Sequence, residues 1–393
     1  MVEKNINEFV RENAPCYIYQ KDVIDKSCQI LKEKFKNVEF LYSIKANPFM
    51  PVIKTIRENK IGSDAASSNE VLLSIEAGME KNQIYYSAPG KTMEDLKKAW
   101  GKCVFIADSF HELDLLDDLA KKHGEILEVG LRINPNYSMK DKKAHPSKFG
   151  VDEDKIFDFS WKYKNLKLVG LHVHVQSQIL DTNLLSNYYK NTYDLALKFS
   201  KLDFVDLKFI NFGSGIGVSY DKKNEKDVDL DILSKTMKDL YEKNKNELGA
   251  KFLIESGRFL VMNSGTYYTP VIDKKYSQGK TYLVVKNAMN GFVKASMKEM
   301  LKDALGKECE KAFEPLYTGI NQCEFEIIGD SLEKEKVDIG GHLCTSLDLL
   351  ARDIELKKAE IGDILKITNA GAYSYSISIL NFASHNLPKE FLI

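Results

Sequence analysis

The sequence has no run of about 18 apolar residues, so no membrane-spanning helix is expected. It has no excess of either charge: 56 basic and 57 acidic side chains leave a net charge of −1. A broad basic field for nucleic acid or an anionic membrane surface is therefore excluded. Its six cysteines, at 16, 28, 103, 309, 323 and 344, never fall into Cys-x-x-Cys spacing. Neither a metal site nor a disulfide framework is indicated, and a reducing cytoplasm fits best. The first residues, Met-Val-Glu-Lys-Asn-Ile-Asn-Glu, are polar and acidic, unlike a secretory signal. No Gly-x-Gly-x-x-Gly follows an early strand, which removes the main sequence mark of a doubly wound dinucleotide fold.

What the 393 residues do contain is 44% hydrophobic side chains in a regular order, with length enough for about two domains. Short apolar runs at 38–44, 61–66, 83–87, 103–107, 127–133, 166–175, 207–212 and 252–255 alternate with amphipathic stretches. Eight runs with helical spacers predict a closed parallel (β/α)8 barrel, a TIM-like α/β architecture of roughly 250 residues. After residue 265 the texture changes. Segments 265–273, 280–285, 323–328 and 363–367 alternate like antiparallel strands and predict a C-terminal β domain, a sandwich or barrel. Residues 16–19 share that pattern and precede the first barrel strand, so they are expected to join the β domain. The expected division is an N-terminal strand segment at 1–30, a barrel at 31–265 and a β domain at 266–393. The charged tracts 140–143 and 221–229 read as solvated loops.

Chemistry in such a barrel sits at the C-terminal ends of the strands. The first run ends in Tyr42-Ser-Ile-Lys45-Ala-Asn-Pro48. A lysine held there in a wall of apolar side chains loses its charge readily and becomes nucleophilic. It can then form a Schiff base with a carbonyl, such as the aldehyde of pyridoxal phosphate. Alone, it reads as well as a lysine with a buried stem and a wet head. The other strand ends tip the balance. The second gives Asp64-Ala-Ala-Ser67, with Glu70 opening the next helix. The fifth gives Arg132, the sixth His172-Val-His174-Val-Gln-Ser177, the seventh Gly213-Ser-Gly215-Ile-Gly217 and the eighth Glu255-Ser-Gly257-Arg258. The glycine loop can bring N–H groups against a phosphate, with Ser177 and Arg258 adding hydrogen bonds and charge. Glu255 can meet a pyridine nitrogen and keep the ring protonated as an electron sink, or simply pair with Arg258. His174 can lie flat on the ring, with His172 structural. In the β domain, Cys344 within Gly340-Gly-His-Leu-Cys-Thr-Ser-Leu-Asp348 is a candidate proton donor or a small buried hydrophobe. Tyr373 can hydrogen-bond a phosphate.

Jointly, these segments resemble the pyridoxal-phosphate decarboxylases of the alanine-racemase fold, the group of diaminopimelate, ornithine and arginine decarboxylases. The matching stretches are YSIKANP, GSDAASSNEV, LRINP, HPSKFGV, HVHVQSQ, GSGIG, ESGR, GHLCTSLD, GDILKITNAGAY and FASHNLPKEFL, in the family's order from about residue 16 onward. The resemblance implies pyridoxal phosphate on Lys45, with Glu255 at its pyridine nitrogen and His174 on its ring face. It implies Ser177, Gly213, Gly215, Gly257, Arg258 and Tyr373 around the phosphate end, and Asp64, Glu70 and Arg132 lining the site. It also implies a homodimer in which Cys344 serves the neighbour's site as the acid.

Four positions depart from the family. Thr345 replaces the acidic residue that receives the distal amine of a diamine-type substrate. Lys294-Ala-Ser-Met-Lys298 replaces Arg-Pro-x-x-Tyr. Gln176 and Ser256 replace a glycine and a proline beside cofactor contacts. A neutral hydroxyl cannot pair a buried ammonium. Thr345, Lys294 and Asp348 are thus candidate substrate contacts for something other than a free diamino acid. The Cys-Thr-x-Leu-Asp pattern resembles a side branch acting on amino acids attached to a carrier protein or a citrate unit. Diaminopimelate decarboxylation and amino-acid racemisation are the alternatives. A racemase needs two opposed acid–base groups, and the cysteine motif favours the decarboxylase.

Overall fold

The computed structural model describes residues 2–139, 143–213, 215–305 and 323–393. Residues 140–142 of the charged tract, Ser214 of the glycine loop and Cys309 lie outside them. The chain divides into a barrel unit, Asp25–Val218 with Lys226–Leu260, and a β unit made of Val261–Ile393, Ser219–Glu225 and the N-terminal segment to Ile24.

The chain opens with α1 (Val2–Asn13), β1 (Cys16–Tyr19) and α2 (Lys21–Lys34). Then come β2 (Glu39–Ser43), α3 (Met50–Glu58), β3 (Gly62–Ala65), α4 (Ser68–Glu76), β4 (Ile84–Tyr86), α5 (Met93–Ala99), β5 (Val104–Ala107) and α6 (Phe110–His123). The barrel continues through β6 (Leu127–Asn134), the two-residue β7 (Val151–Asp152), α7 (Glu153–Phe157), β8 (Leu166–His172), α8 (Thr182–Phe199), β9 (Val205–Asn211), α9 (Leu230–Glu247) and β10 (Lys251–Ser256). Strands β2, β3, β4, β5, β6, β8, β9 and β10 pair in parallel in that order, and β10 pairs back onto β2, so the eight-stranded barrel is closed. Side-chain oxygens start the longer helices: Ser67 accepts the Glu70 amide, Ser109 that of Glu112, and Asp181 those of Asn183 and Leu184.

The barrel interior is built in layers. Leu41, Tyr85, Ile106, Val169, Phe209 and Leu253 form one buried apolar cluster. Gly130 and Gly170 make room for the Phe209 ring, since a Cβ on Gly170 would sit 1.9 Å from it. Side chains two residues apart share a face of a strand. The next inward position on each strand is polar: Ser43, Asp64, Ser87, Asp108, Arg132, His172, Asn211 and Glu255, every one buried. Eight strands thus end in eight polar side chains above an apolar plug.

The short α10 (Arg258–Val261) closes the barrel unit, and the β unit adds β11 (Gly265–Ser277), β12 (Lys280–Val285), α11 (Val293–Leu305), β13 (Phe325–Ile328), β14 (Lys334–Gly341), β15 (Leu349–Lys357), β16 (Ile364–Ile367) and β17 (Lys389–Leu392). The sheet runs β13-β16-β11-β12-β14-β15, with β1 between β11 and β17. A register shift between Val271 and Asp273 divides β11, so its first half pairs with β1 and β16 and its second half with β12. Val10, Cys16, Ile18, Tyr268 and Ile364 form its core. The sheet is not wholly antiparallel, as β12 lies parallel to β14 and β1 to β17. Among the described residues, no helix is long and apolar enough to cross a membrane.

Candidate active site

The polar layer resolves into three acid-centred clusters. In the first, Asp64 is fully buried and accepts three hydrogen bonds: Ser43 Oγ at 2.9 Å, Ser87 Oγ at 2.6 Å and Lys45 Nζ at 2.8 Å. Lys45 stands in a single tight turn, Ile44–Ala46, directly after β2. Its side chain is 46% exposed, so the apolar wall expected around it is absent. Glu70 stands nearby on α4 and accepts the Ala66 amide at 2.6 Å. Burial pushes its carboxyl up to about 7, against the pull of that amide and of the Lys45 ammonium.

In the second cluster, Glu255 accepts Asn211 Nδ2 at 2.9 Å and lies 3.2 Å from His172 Nε2. Asn211 and His172 are thus the partners that hold the Glu255 carboxylate. Burial alone would raise the Glu255 carboxyl. The His172 imidazole and the Lys45 ammonium outweigh it and hold the carboxyl below the usual range. In the third, Arg132 Nη1 lies 3.6 Å from Asp108 Oδ1, and Arg132 Nη2 donates to the His174 carbonyl at 3.2 Å.

Above these clusters β8 stops at His172, so His174 sits in a loop rather than on the strand. Its ring Nε2 lies 3.1 Å from Ser177 Oγ. Burial, with the Arg132 guanidinium adding, pushes the His174 imidazole down to about 3, so it is neutral. The glycine loop after β9 is tied beside it. Gly213 adopts φ +65°, and a Cβ there would lie 2.4 Å from the Val173 carbonyl. Ile179 pairs with Ile216, and Gln178 brackets Val218. Arg258 is buried at the start of α10. The barrel unit therefore brings together Lys45, Asp64, Glu70, Arg132, His174, Ser177, Gly213, Gly215, Glu255, Gly257 and Arg258.

The β unit holds the rest. Cys344 is an exposed free thiol in the turn between β14 and β15, not a small buried hydrophobe. Burial pushes the thiols of Cys16 and Cys103 up to about 12, which marks them as inert. Thr345 Oγ1 accepts the Leu347 amide at 3.3 Å. Asp348 differs from its expected role. It is buried, and its two oxygens accept the amides of Met289 at 2.7 Å and Leu343 at 2.8 Å, so it shapes the turn instead of facing a substrate. Lys294 is buried on α11, with Nζ on the Ala372 carbonyl at 2.9 Å. Tyr373 adopts φ +50°, rare for a bulky residue. His342 stacks on His385 with ring centroids 3.9 Å apart, which ties the segment around 385 to the Cys344 turn.

Sequence reasoning missed Ser43, Ser87, Asp108, Asn211 and the stacked histidines. The signal for the first four was present: each lies two residues beyond an apolar interior position.

The donor set fits one kind of guest. A strand-end amine, a buried carboxylate opposite, a neutral flat imidazole and a glycine loop with a buried arginine suit an aldehyde, a basic ring nitrogen, a ring face and a phosphate. That combination defines a pyridoxal-phosphate barrel enzyme. The pyridoxal-binding domain of the pyridoxal-dependent decarboxylases matches residues 21–262, and the chain belongs to this family. It is 29% identical to the L-glutamyl-[BtrI acyl-carrier protein] decarboxylase of Niallia circulans, over 97% of this chain and 89% of that one. It is 30% identical to the diaminopimelate decarboxylase of Aquifex aeolicus, over 93% of this chain and 83% of that one. The diaminopimelate decarboxylase of Helicobacter pylori, solved with L-lysine, superposes with a TM-score of 0.81 at 26% identity, covering 97% of this chain and 92% of that one. The protein is a pyridoxal-phosphate-dependent decarboxylase.

Proposed function

We propose that the substrate is an α-amino acid whose far end is an amide, ester or thioester linkage rather than a free ammonium, carried on a larger group such as a carrier protein. The observation that carries this is Thr345. The residue after the exposed Cys344 is a hydroxyl already accepting its own turn's amide. A distal ammonium brought there would meet a neutral hydroxyl in place of a carboxylate and would lose several kcal/mol. The Niallia circulans relative, named for a glutamyl group on an acyl-carrier protein, supports the reading.

When bound, pyridoxal phosphate draws electrons from the Cα of an attached amino acid, so that its bond to the carboxylate can break. Lys45 holds the cofactor and Asp64, fixed by Ser43 and Ser87, orients the lysine. Glu255 stays anionic to meet the ring nitrogen. His174, neutral, offers its face without repelling a cationic ring. Ser177, the loop at Gly213 and Gly215, Gly257, Arg258 and Tyr373 hold the phosphate. Cys344 Sγ of a second copy would supply the proton that Cα takes up in place of the departed carboxylate. Leu347, Ile379, Phe382 and Leu387 are exposed in the β unit alongside Cys344, which supports a homodimer built on that face. Five described cysteines are free thiols, which supports the cytoplasm.

The test is carbon dioxide release from a panel of free and amide-linked amino acids. Free meso-diaminopimelate and ornithine should fall two to three powers of ten, roughly, below the native substrate in kcat/KM. Thr345→Glu should raise the diamine substrates and lower the native one. Turnover of free diaminopimelate at roughly 10^5 M⁻¹s⁻¹ or above would instead make this a diaminopimelate decarboxylase, the second reading, which the Aquifex aeolicus relative favours.

A further inference from the structure

Of the three acids in the polar layer, Asp64 and Glu255 have evident work, and Asp108 belongs to no motif with an assigned role. It follows β5, is buried, and its carboxylate faces two ways. Oδ2 accepts the Gly150 amide at 3.0 Å. Oδ1 is buried without a hydrogen-bond partner among the described residues, 3.6 Å from Arg132 Nη1. Gly150 ends the turn that carries Phe149, and the Phe149 ring lies 4.5 Å from the Arg132 guanidinium carbon. That turn is fixed on the end of β6. Gly150 adopts φ +76°, and a Cβ there would meet Asn134 N at 2.8 Å. One carboxylate therefore sets both sides of one guanidinium, by charge on one flank and through Phe149 on the other.

Asp108 is itself anchored from behind. Glu112 accepts the Asp108 amide at 2.9 Å and the Lys91 ammonium at 2.7 Å. Lys91 also donates to the Ile106 carbonyl at 2.8 Å. This pair is dry on both sides and fixes the backbone at the end of β5. Forward of Arg132, the chain of contacts runs through the His174 carbonyl to His174 Nε2 and Ser177 Oγ.

We propose that Asp108 is a positioning residue that holds Arg132, and through it the His174–Ser177 loop, in the geometry that receives the cofactor. The proposal rests on Arg132 and His174 lining that site. Asp108→Asn is isosteric and keeps an acceptor for Gly150, so it removes the charge alone. It should weaken pyridoxal-phosphate binding to the apoprotein about tenfold and lower kcat/KM by a similar factor. Arg132→Met should do at least as much and also lower the apoprotein melting temperature, because it strands the buried Asp108 charge. The double variant separates positioning from general scaffolding. It should bind the cofactor within about twofold of Arg132→Met and recover most of the lost melting temperature. Arg132→Lys replaces Arg132→Met should the latter not fold, with the same non-additivity expected. Wild-type cofactor affinity and kcat/KM in Asp108→Asn would overturn the proposal, as would losses that multiply in the double variant. Full affinity and activity in Arg132→Met would show that the site reading itself fails, and Asp108 with it.

Discussion

Glu70 shows how a single carboxylate can make the barrel mouth sensitive to pH. In the unfolded chain it titrates near 4.5, and burial beside α4 pushes it up to about 7. Between those values the folded chain holds a proton that the unfolded chain has lost. Its stabilising contribution is complete below pH 4.5 and disappears as pH rises through 7. Glu70→Gln keeps an acceptor for the Ala66 amide but cannot ionise. The melting temperature of the variant should therefore gain on that of the wild type between pH 4.5 and 7.5, windowed by about the two pKa values. A constant difference across that range would show that Glu70 is not protonated by its surroundings. At the same scale, motif residues such as Lys45, Glu255 and Arg258 were legible because each lies in a run of unusual composition. Ser87 and Asp108 were not, because a serine or aspartate after a strand is the commonest of turn residues. What distinguishes them is the apolar residue two places earlier, Tyr85 and Ile106, and that becomes informative only once the strand's inward face is known. The surroundings of Lys45 were not legible for the converse reason: its neighbours in sequence are apolar, but the partner of its amine, Asp64, comes from the adjacent strand.

At the scale of elements, the barrel was readable and the hairpin that carries Cys344 was not. Parallel strands are buried on both faces and show as apolar runs. β14 and β15 read Lys-Glu-Lys-Val-Asp-Ile-Gly-Gly and Leu-Leu-Ala-Arg-Asp-Ile-Glu-Leu-Lys, the first broken by charge and the second rich in helix formers. Pairing with β12 on one side and with each other overrides that preference. The turn between them is braced twice, by Asp348 on the amides of Met289 and Leu343 and by the stack of His342 on His385. The second brace depends on pH. Burial, with His385 adding, lowers the His342 imidazole below 6.5, while Asp348 pulls it up and Lys286 pushes it further down. A lowered base stabilises the fold above its unfolded pKa and loses that contribution as pH falls through the window below 6.5. Amide-exchange protection in residues 341–348 should therefore drop between pH 7 and pH 5, by roughly the scale on which histidines titrate. In His342→Gln the same protection factors should start lower and stay level. Equal pH dependence in both proteins would remove the stack from the account of this turn.

For the whole molecule, the decisive fact is that the amine and the thiol assigned to one reaction stand in different units of the chain: Lys45 in the barrel unit and Cys344 in the β unit. Cys344 is exposed, as are Leu347 in the same turn and Phe382 and Leu387 in the segment that His385 ties to it. Exposed apolar side chains in the same unit as an exposed thiol suit a surface where a second copy docks, and a two-fold interface would give each site one lysine and the other copy's cysteine. The consequence is a complementation that neither variant can achieve alone. Lys45→Ala and Cys344→Ala homodimers should both be nearly inactive. In a mixed dimer one site inherits both defects and the other inherits neither. Equal mixing makes about half of all dimers mixed, each with one working site of two, so total activity should recover to about a quarter of wild type. The recovery should track the fraction of mixed dimers measured by native mass spectrometry. A mixed population without activity would mean that each chain completes its own site, and Cys344 would then need another explanation for its exposure.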